Sequence, residues 1–73
     1  MLSNQIADRL RRARKALGLT QVELARRAEV STRLVAEVER GERKNVSLAT
    51  VLRLLAEAGV SVRLSGPVGG ELP

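Results

Sequence analysis

An interruption in the helical pattern between Leu24 and Gly41 constrains this chain of 73 residues more than any other feature. The segment reads LARRAEVSTRLVAEVERG, and apolar or small residues follow a helical spacing in its first half and again in its second half. The pattern slips at Glu29, Val30 and Ser31, so the apolar face of the second half does not continue that of the first. The sequence therefore predicts two short helices joined by about three residues.

Capping residues set the ends of four predicted helices. The segment TQVE, from Thr20 to Glu23, is a capping box, and Ser31 and Ser47 are favourable N-caps. Glycine follows three of the helices, as is common at helix C-termini. The predicted helices span Ser3 or Asn4 to Leu17, Gln21 to Ala28, Thr32 to Arg40, and Leu48 to Ala58.

The first and fourth predicted helices each carry an apolar stripe. The stripe of the first helix consists of Ile6, Leu10, Ala13 and Leu17. The stripe of the fourth helix consists of Leu48, Val51, Leu52, Leu55 and Ala58. Leu54 lies off that stripe, so we expect it to face a partner rather than the core of its own chain.

The period of the pattern changes after Gly59. Val60, Val62 and Leu64 alternate with polar residues, which predicts a short strand. A single strand has unpaired edges, and the simplest partner is the same strand of a second copy related by a two-fold axis. The sequence thus predicts a homodimer whose interface contains Leu54, Val60, Val62 and Leu64, within one domain over residues 1–65 and before a flexible Gly/Pro-rich tail over residues 66–73.

The composition excludes most chemistry. With no Cys and no His, the chain has no ligands for a zinc finger or haem, no thiol and no histidine base. It also has no Gly-rich phosphate loop and no suitably spaced pair of carboxylates, so we expect no catalytic residues, no metal and no cofactor. No apolar run reaches about 18 residues and the N-terminus lacks a signal-peptide core. We therefore expect a cytoplasmic, nucleoid-associated protein that is not an enzyme.

The charge indicates a polyanionic partner. Thirteen Lys and Arg residues against eight Asp and Glu give a net charge of +5. The chain has no aromatic residue, whereas proteins that bind single strands stack bases on aromatic rings. Double-stranded DNA is consequently the expected partner, and the alternative is that the basic residues only solvate helix surfaces.

The segment LGLTQVELARRAEVSTRLVAEVERG resembles the Xre/Cro-like helix-turn-helix regulators, which include the lambdoid phage repressors. Its continuation, KNVSLATVLRLLAEAGVSVRL, is similar to HipB-type antitoxins, and the resemblance covers about Ile6 to Leu64. It implies an all-α, lambda-repressor-like domain of four to five helices, with a short C-terminal β-strand that pairs across a dimer. In such a motif Ala25 is small where two helices cross, while Val35 and Val38 anchor the second helix.

This geometry leaves the N-terminal half of the third helix projecting outward, ready for a major groove. The expected base contacts are Thr32, Arg33, Ala36 and Glu37, with Arg33 bidentate to guanine as the largest contribution. The expected phosphate contacts are Gln21, Ser31, Arg43, Lys44 and Asn45. The alternative for Arg33 is a phosphate contact, and the alternative for Gln21 is a solvated surface side chain.

Three acidic residues occupy positions where a negative charge has a specific consequence. The resemblance implies a structural ion pair between Arg14 and Glu39, linking the first and third helices. Glu29 occupies a turn position where the family usually has Gly, and a positive φ there costs a non-Gly residue roughly 1 kcal/mol. Glu37 lies on the recognition helix, where an acid repels phosphates unless it accepts from a cytosine amino group or pairs with an arginine.

Three functions are compatible with these features. The first is an antitoxin that binds an inverted-repeat duplex, represses its own operon and binds a HipA-like kinase toxin. The second is a stand-alone repressor with the same DNA mechanism and no toxin. The third is a protein-interaction adaptor whose basic face meets an acidic protein, and the expected geometry of the recognition helix counts against it.

Overall fold

The computed structural model describes residues 4–43 and 45–61, and this part of the chain contains four helices. Their bounds are α1 Asn4–Ala16, α2 Gln21–Ala28, α3 Thr32–Glu39 and α4 Leu48–Glu57. All four predicted helices are present, and three of them end one residue earlier than predicted. Apolar spacing together with capping residues was therefore sufficient to locate them.

Side-chain caps begin α2, α3 and α4 as predicted. The Thr20 hydroxyl oxygen accepts from the amide of Glu23 at 3.0 Å, and the Glu23 carboxylate accepts from the amide of Thr20 at 2.8 Å, which confirms the capping box. Ser31 Oγ accepts from the amide of Leu34 at 3.0 Å, and Ser47 Oγ accepts from the amide of Thr50 at 3.1 Å. These bonds satisfy amides that a helix N-terminus leaves without a partner.

All four helices end with the same backbone motif. In each, an amide beyond the last turn donates to the carbonyl five residues earlier, at distances of 2.8 to 3.1 Å. The motif requires a left-handed residue, which is Gly18 after α1, Gly41 after α3 and Gly59 after α4. After α2 it is Glu29, with φ 60° and ψ 42°. The turn between α2 and α3 therefore keeps the glycine geometry without the glycine.

The core lies where α2 packs on α3 and α4, and where α1 packs on α3 and α4. Val30 and Leu34 are half-buried against it, at the start of the turn and in the first turn of α3. Ala25 is buried within the core, which is consistent with a close crossing of short helices. The core consists of Leu10, Leu24, Ala25, Ala28, Val35, Val38, Val51, Leu54, Leu55 and Ala58.

The buried face of α1 differs from the predicted stripe. Ile6 and Leu17 are substantially exposed, whereas Ala7, Leu10 and Arg14 are buried. The spacing of the buried residues is still helical, but the face is rotated toward Arg14. The spacing of apolar residues in the sequence could not predict this orientation of α1, because one of the buried residues, Arg14, is charged.

The prediction that Leu54 faces a partner is wrong. Leu54 is 0% exposed within its own chain, and Leu48, predicted to be buried, is 67% exposed. The buried residues of α4 and its C-cap follow the spacing i, i+3, i+4, i+7 from Val51 to Ala58, and Leu54 belongs to that face. The helix is apolar over a wide arc, so the sequence alone did not determine which part of the arc faces the core.

The predicted strand falls mostly outside the described residues, which exclude Val62 and Leu64. Val60 is half-buried, and its amide donates to the carbonyl of Leu55 at 2.8 Å, closing the end of α4. Residues 4–43 and 45–61 contain no strand. The strand, its pairing in a dimer and the tail over residues 66–73 remain predictions.

Candidate nucleic-acid interface

The recognition surface is the outer face of α3. Val35 and Val38 are fully buried and fix the inner face of the helix against the core. Thr32 and Arg33 are exposed on the first turn, and Ala36 and Glu37 are partly exposed one turn later. Helical periodicity places residues 32, 33, 36 and 37 on one side. The structure thus brings together the four residues that the sequence predicted as base contacts.

A buried ion pair connects the far end of α3 to α1. Arg14 Nε donates to Glu39 Oε2 at 2.6 Å, and Arg14 Nη2 donates to Glu39 Oε1 at 3.0 Å. The two residues are 8% and 6% exposed, respectively. A bidentate guanidinium–carboxylate pair fixes both distance and orientation. It therefore sets the position of α3 relative to α1.

The Glu39 carboxylate also accepts a hydrogen bond from Gln21, in addition to those from Arg14. Gln21 Nε2 donates to Glu39 Oε1 at 3.1 Å, and Arg14 Nη1 donates to the carbonyl of Leu19 at 2.8 Å. These contacts tie the start of α2 and the turn before it to the ion pair. Sequence reasoning missed this part of the network, because Gln21 was interpreted either as a phosphate contact or as a solvated surface side chain. The Gln21 amide group has a second N–H, which a phosphate can still use.

A second, more exposed ion-pair group lies on the outer face of α3. Arg33 Nε donates to Glu37 Oε2 at 3.1 Å, and Arg43 Nη1 donates to Glu37 Oε1 at 2.7 Å. The exposed fraction of the side chain is 85% for Arg33, 38% for Arg43 and 19% for Glu37. Hydrogen bonds from Arg43 and then Arg33 lower the pKa of the Glu37 carboxyl. We refer to these three residues as the Glu37 clamp.

The clamp joins two regions that the sequence treated separately. Arg33 belongs to the first turn of α3, whereas Arg43 follows the left-handed Gly41 that comes after the end of α3. The turn at Gly41 brings Arg43 back beside Glu37. Only the i, i+4 spacing of Arg33 and Glu37 was visible in the sequence.

The remaining predicted phosphate contacts, Ser31, Lys44 and Asn45, flank α3 in the sequence. Ser31 Oγ accepts the cap bond of α3, and its hydroxyl hydrogen remains a possible donor. Asn45 is exposed in the loop after α3, while Lys44 lies outside the described residues. Four basic residues make no ion pair with an acidic residue in the described part of the chain: Arg9, Lys15, Arg26 and Arg27. The described surface therefore carries positive charge beyond α3.

No helix in residues 4–43 and 45–61 has the length and apolar character needed to cross a membrane. Comparisons with curated proteins and with solved structures gave no match. The helix-turn-helix family model (HTH_3) matches residues 10–64, which include the second half of α1 and all of α2, α3 and α4. The chain belongs to the Xre-type helix-turn-helix family of sequence-specific DNA-binding regulators.

Proposed function

We propose that this protein is a repressor that binds an inverted-repeat operator as a homodimer, with α3 of each copy in a major groove. The observation that carries the proposal is the orientation of α3. Its inner face is fixed by buried Val35 and Val38, and its N-terminal turn exposes Thr32 and Arg33. A helix held in this way can enter a groove about 12 Å wide without rearrangement of the core.

The proposed contacts divide into two groups. Thr32, Arg33 and Ala36 read base edges, with Arg33 contributing most through a guanine. Gln21, Ser31, Arg43, Lys44 and Asn45 bind phosphates and position the helix. This division is supported by the exposure of the first group along one side of α3 and by the contact of Arg43 with Glu37 on that side.

The proposed homodimer requires a surface through which two copies of the chain contact each other. The alternation of Val60, Val62 and Leu64 supports pairing of C-terminal strands, and exposed Leu48 offers additional apolar surface on α4. Leu54 has no part in this interface, because it is buried in the core of its own chain.

Truncation after Ser61 tests the dimer without removing any described helix. We expect sedimentation equilibrium to show a dimer for the full chain and a monomer for the truncated chain, because the strand is lost. Leu48→Ser serves as the matched variant on α4. A truncated chain that remains dimeric, together with a monomeric Leu48→Ser variant, would place the interface on α4 alone.

We further propose that the repressor acts as an antitoxin for a HipA-like kinase. The support is the similarity of the residues after α3 to HipB-type antitoxins. Co-expression with the product of the neighbouring gene, followed by purification through a tag on this chain, tests it. A stoichiometric complex is the expected result, and a neighbouring product that never co-purifies would favour the stand-alone repressor.

Selection of duplexes from a random library, followed by binding titrations at physiological salt, tests the DNA-binding proposal. We expect the selected sequences to contain an inverted repeat with half-site centres one or two helical turns apart, roughly 34 Å per turn. The selected duplex should bind about a thousandfold or more tighter than a random duplex. Equal affinity for both duplexes would contradict the proposal.

A further inference from the structure

We propose that Glu37 is a positioning residue for DNA recognition, which holds Arg33 in the orientation that reads a guanine and couples it to the backbone-binding loop through Arg43. This inference rests on the proposed function and assigns Glu37 a role other than direct contact with a base. The claim concerns three side chains that all lie on the outer face of the recognition region.

The first step is the occupancy of the carboxylate. Each oxygen of Glu37 accepts from a different arginine, Oε2 from Arg33 at 3.1 Å and Oε1 from Arg43 at 2.7 Å. Four-fifths of the Glu37 side-chain surface is covered. Each oxygen keeps a second lone pair, but a cytosine amino group would have to reach it past two guanidinium groups that already bind this largely covered side chain. Direct reading of cytosine is therefore the less favourable use of Glu37.

The second step is the part of Arg33 that stays accessible. Glu37 binds Arg33 through Nε, and no hydrogen bond to another described residue involves Nη1 or Nη2 of Arg33. These two terminal groups form the end-on fork that matches O6 and N7 of guanine. Because the side chain is 85% exposed, its orientation depends on Glu37 rather than on packing. The clamp reduces the rotamer freedom that Arg33 has to lose on binding.

The third step is the coupling to the loop. Arg43 follows the turn at Gly41 and reaches back to the same carboxylate. A phosphate contact by Arg43 and a base contact by Arg33 thus share one anchor. Glu37 also lowers the positive charge of this face, so it weakens attraction to any duplex while favouring one geometry. Glu37 therefore lowers the affinity for all duplexes and raises the discrimination between sequences.

Glu37→Gln is the direct test, since it removes the charge and keeps the size. The matched control is Glu42→Gln, because Glu42 is a nearby exposed acid that pairs with Arg40 at 3.0 Å instead. Each variant is titrated with the selected duplex, with a panel of single base-pair substitutions in it, and with a random duplex. Both variants should bind the random duplex more tightly than wild type, because each loses a negative charge.

Only Glu37→Gln should lose discrimination between base pairs. The loss should be about tenfold and fall on the base pairs at which Arg33→Ala also loses discrimination. The double variant Arg33→Ala/Glu37→Gln should keep the base-pair profile of Arg33→Ala, because Glu37 acts through Arg33. A loss at a different base pair, or an additive loss in the double variant, would show that Glu37 reads a base itself and would overturn the proposal.

A measurement without DNA separates this inference from the proposed function. In the free protein, the NMR signal of the Arg33 Nε–H should shift as Glu37 titrates, with a midpoint below the ordinary carboxyl range, and should lose this response in Glu37→Gln. An Arg33 signal that does not respond to pH would overturn the clamp even if DNA binding is specific. A responsive signal together with equal binding of selected and random duplexes would overturn the proposed function and leave the clamp as a surface ion pair.

Discussion

Glu37 and Glu39 lie two residues apart on α3, and each binds a guanidinium group, but they face opposite environments. Glu39 is buried and pairs with Arg14 of α1, while Glu37 is partly exposed and pairs with Arg33 and Arg43. Side chains two apart on a helix point in different directions, so one helix serves both surfaces. Glu39 therefore helps to fix the position of α3 against α1, whereas Glu37 belongs to the outer surface of α3.

The difference in burial determines what each pair contributes. Removing one partner from a buried pair leaves an uncompensated charge in a low-dielectric region, which is strongly destabilising. Exposed pairs are screened by solvent and contribute little to stability. We therefore expect the inner pair to act mainly on folding, and we propose that the outer clamp acts mainly on recognition.

The largest expected effect comes from breaking the inner pair. Glu39→Ala leaves the Arg14 guanidinium buried without its carboxylate and removes the acceptor of the Gln21 amide. We expect a loss of about 3–5 kcal/mol in the free energy of unfolding, measured by urea denaturation. A variant within about 1 kcal/mol of wild type would show that water or another acceptor replaces Glu39.

Replacing the inner pair with apolar residues should have a smaller effect. Arg14→Met/Glu39→Leu removes both charges together, so neither is left buried alone. We expect the double variant to unfold within about 2 kcal/mol of wild type, because such replacements are often neutral or stabilising. The backbone carbonyl of Leu19 and the side-chain amide of Gln21 lose their hydrogen-bond partners, so the double variant should not regain the full free energy of unfolding. If the double variant is as unstable as Glu39→Ala, packing rather than charge is the main contribution at this site.

The turn before α3 also orients the helix, but it does so through the backbone conformation and not through charge. Glu29 has φ 60°, and its side chain approaches Arg53 only at 3.7 Å on the surface. Glu29→Gly should stabilise the protein by about 1 kcal/mol, measured as a higher unfolding midpoint. The matched control is Gly18→Ala, where a Cβ meets nothing within 4 Å and φ is 73°. It should destabilise by about the same amount, and a stabilising effect there would refute the backbone explanation.

The smallest expected effect on stability is that of Glu37→Ala. The carboxyl of Glu37 has a lowered pKa, through hydrogen bonds from Arg43 and then Arg33. Its contribution to stability is therefore present above the ordinary carboxyl pKa and is lost as the pH falls through the lowered value. At pH 7 the unfolding midpoint should differ little from wild type and approach it further in high salt. A large, salt-independent loss would place Glu37 with Glu39 as a residue of the fold.

Local signals in the sequence were enough to predict the helices. Thr20, Ser31 and Ser47 cap the helices where they were expected to, and the interruption at Glu29 is a turn between two helices. Such features depend on neighbouring residues only, so one sequence contains them. The outward half of α3 followed from the positions of Val35 and Val38 in the motif.

The orientation of α1 and α4 could not be predicted in this way. Leu54 and Leu48 both suit an apolar face, and the choice between them depends on where the other helices lie. The contact of Arg43 with Glu37 was equally hidden, because it depends on the path of the chain after Gly41. These features arise from packing between segments that are distant in the sequence.

In the proposed binding mode, α3 reads bases while the loop after it binds the DNA backbone, and a comparison of Arg33→Ala with Arg43→Ala tests this division. Affinities for the selected duplex, for its single base-pair substitutions and for a random duplex are measured over a range of salt concentrations. We expect Arg33→Ala to lose discrimination at one or two base pairs. Arg43→Ala should weaken binding to all duplexes alike and reduce the salt slope by about one unit. Identical base-pair profiles for the two variants would contradict the assignment of α3 as the reading helix.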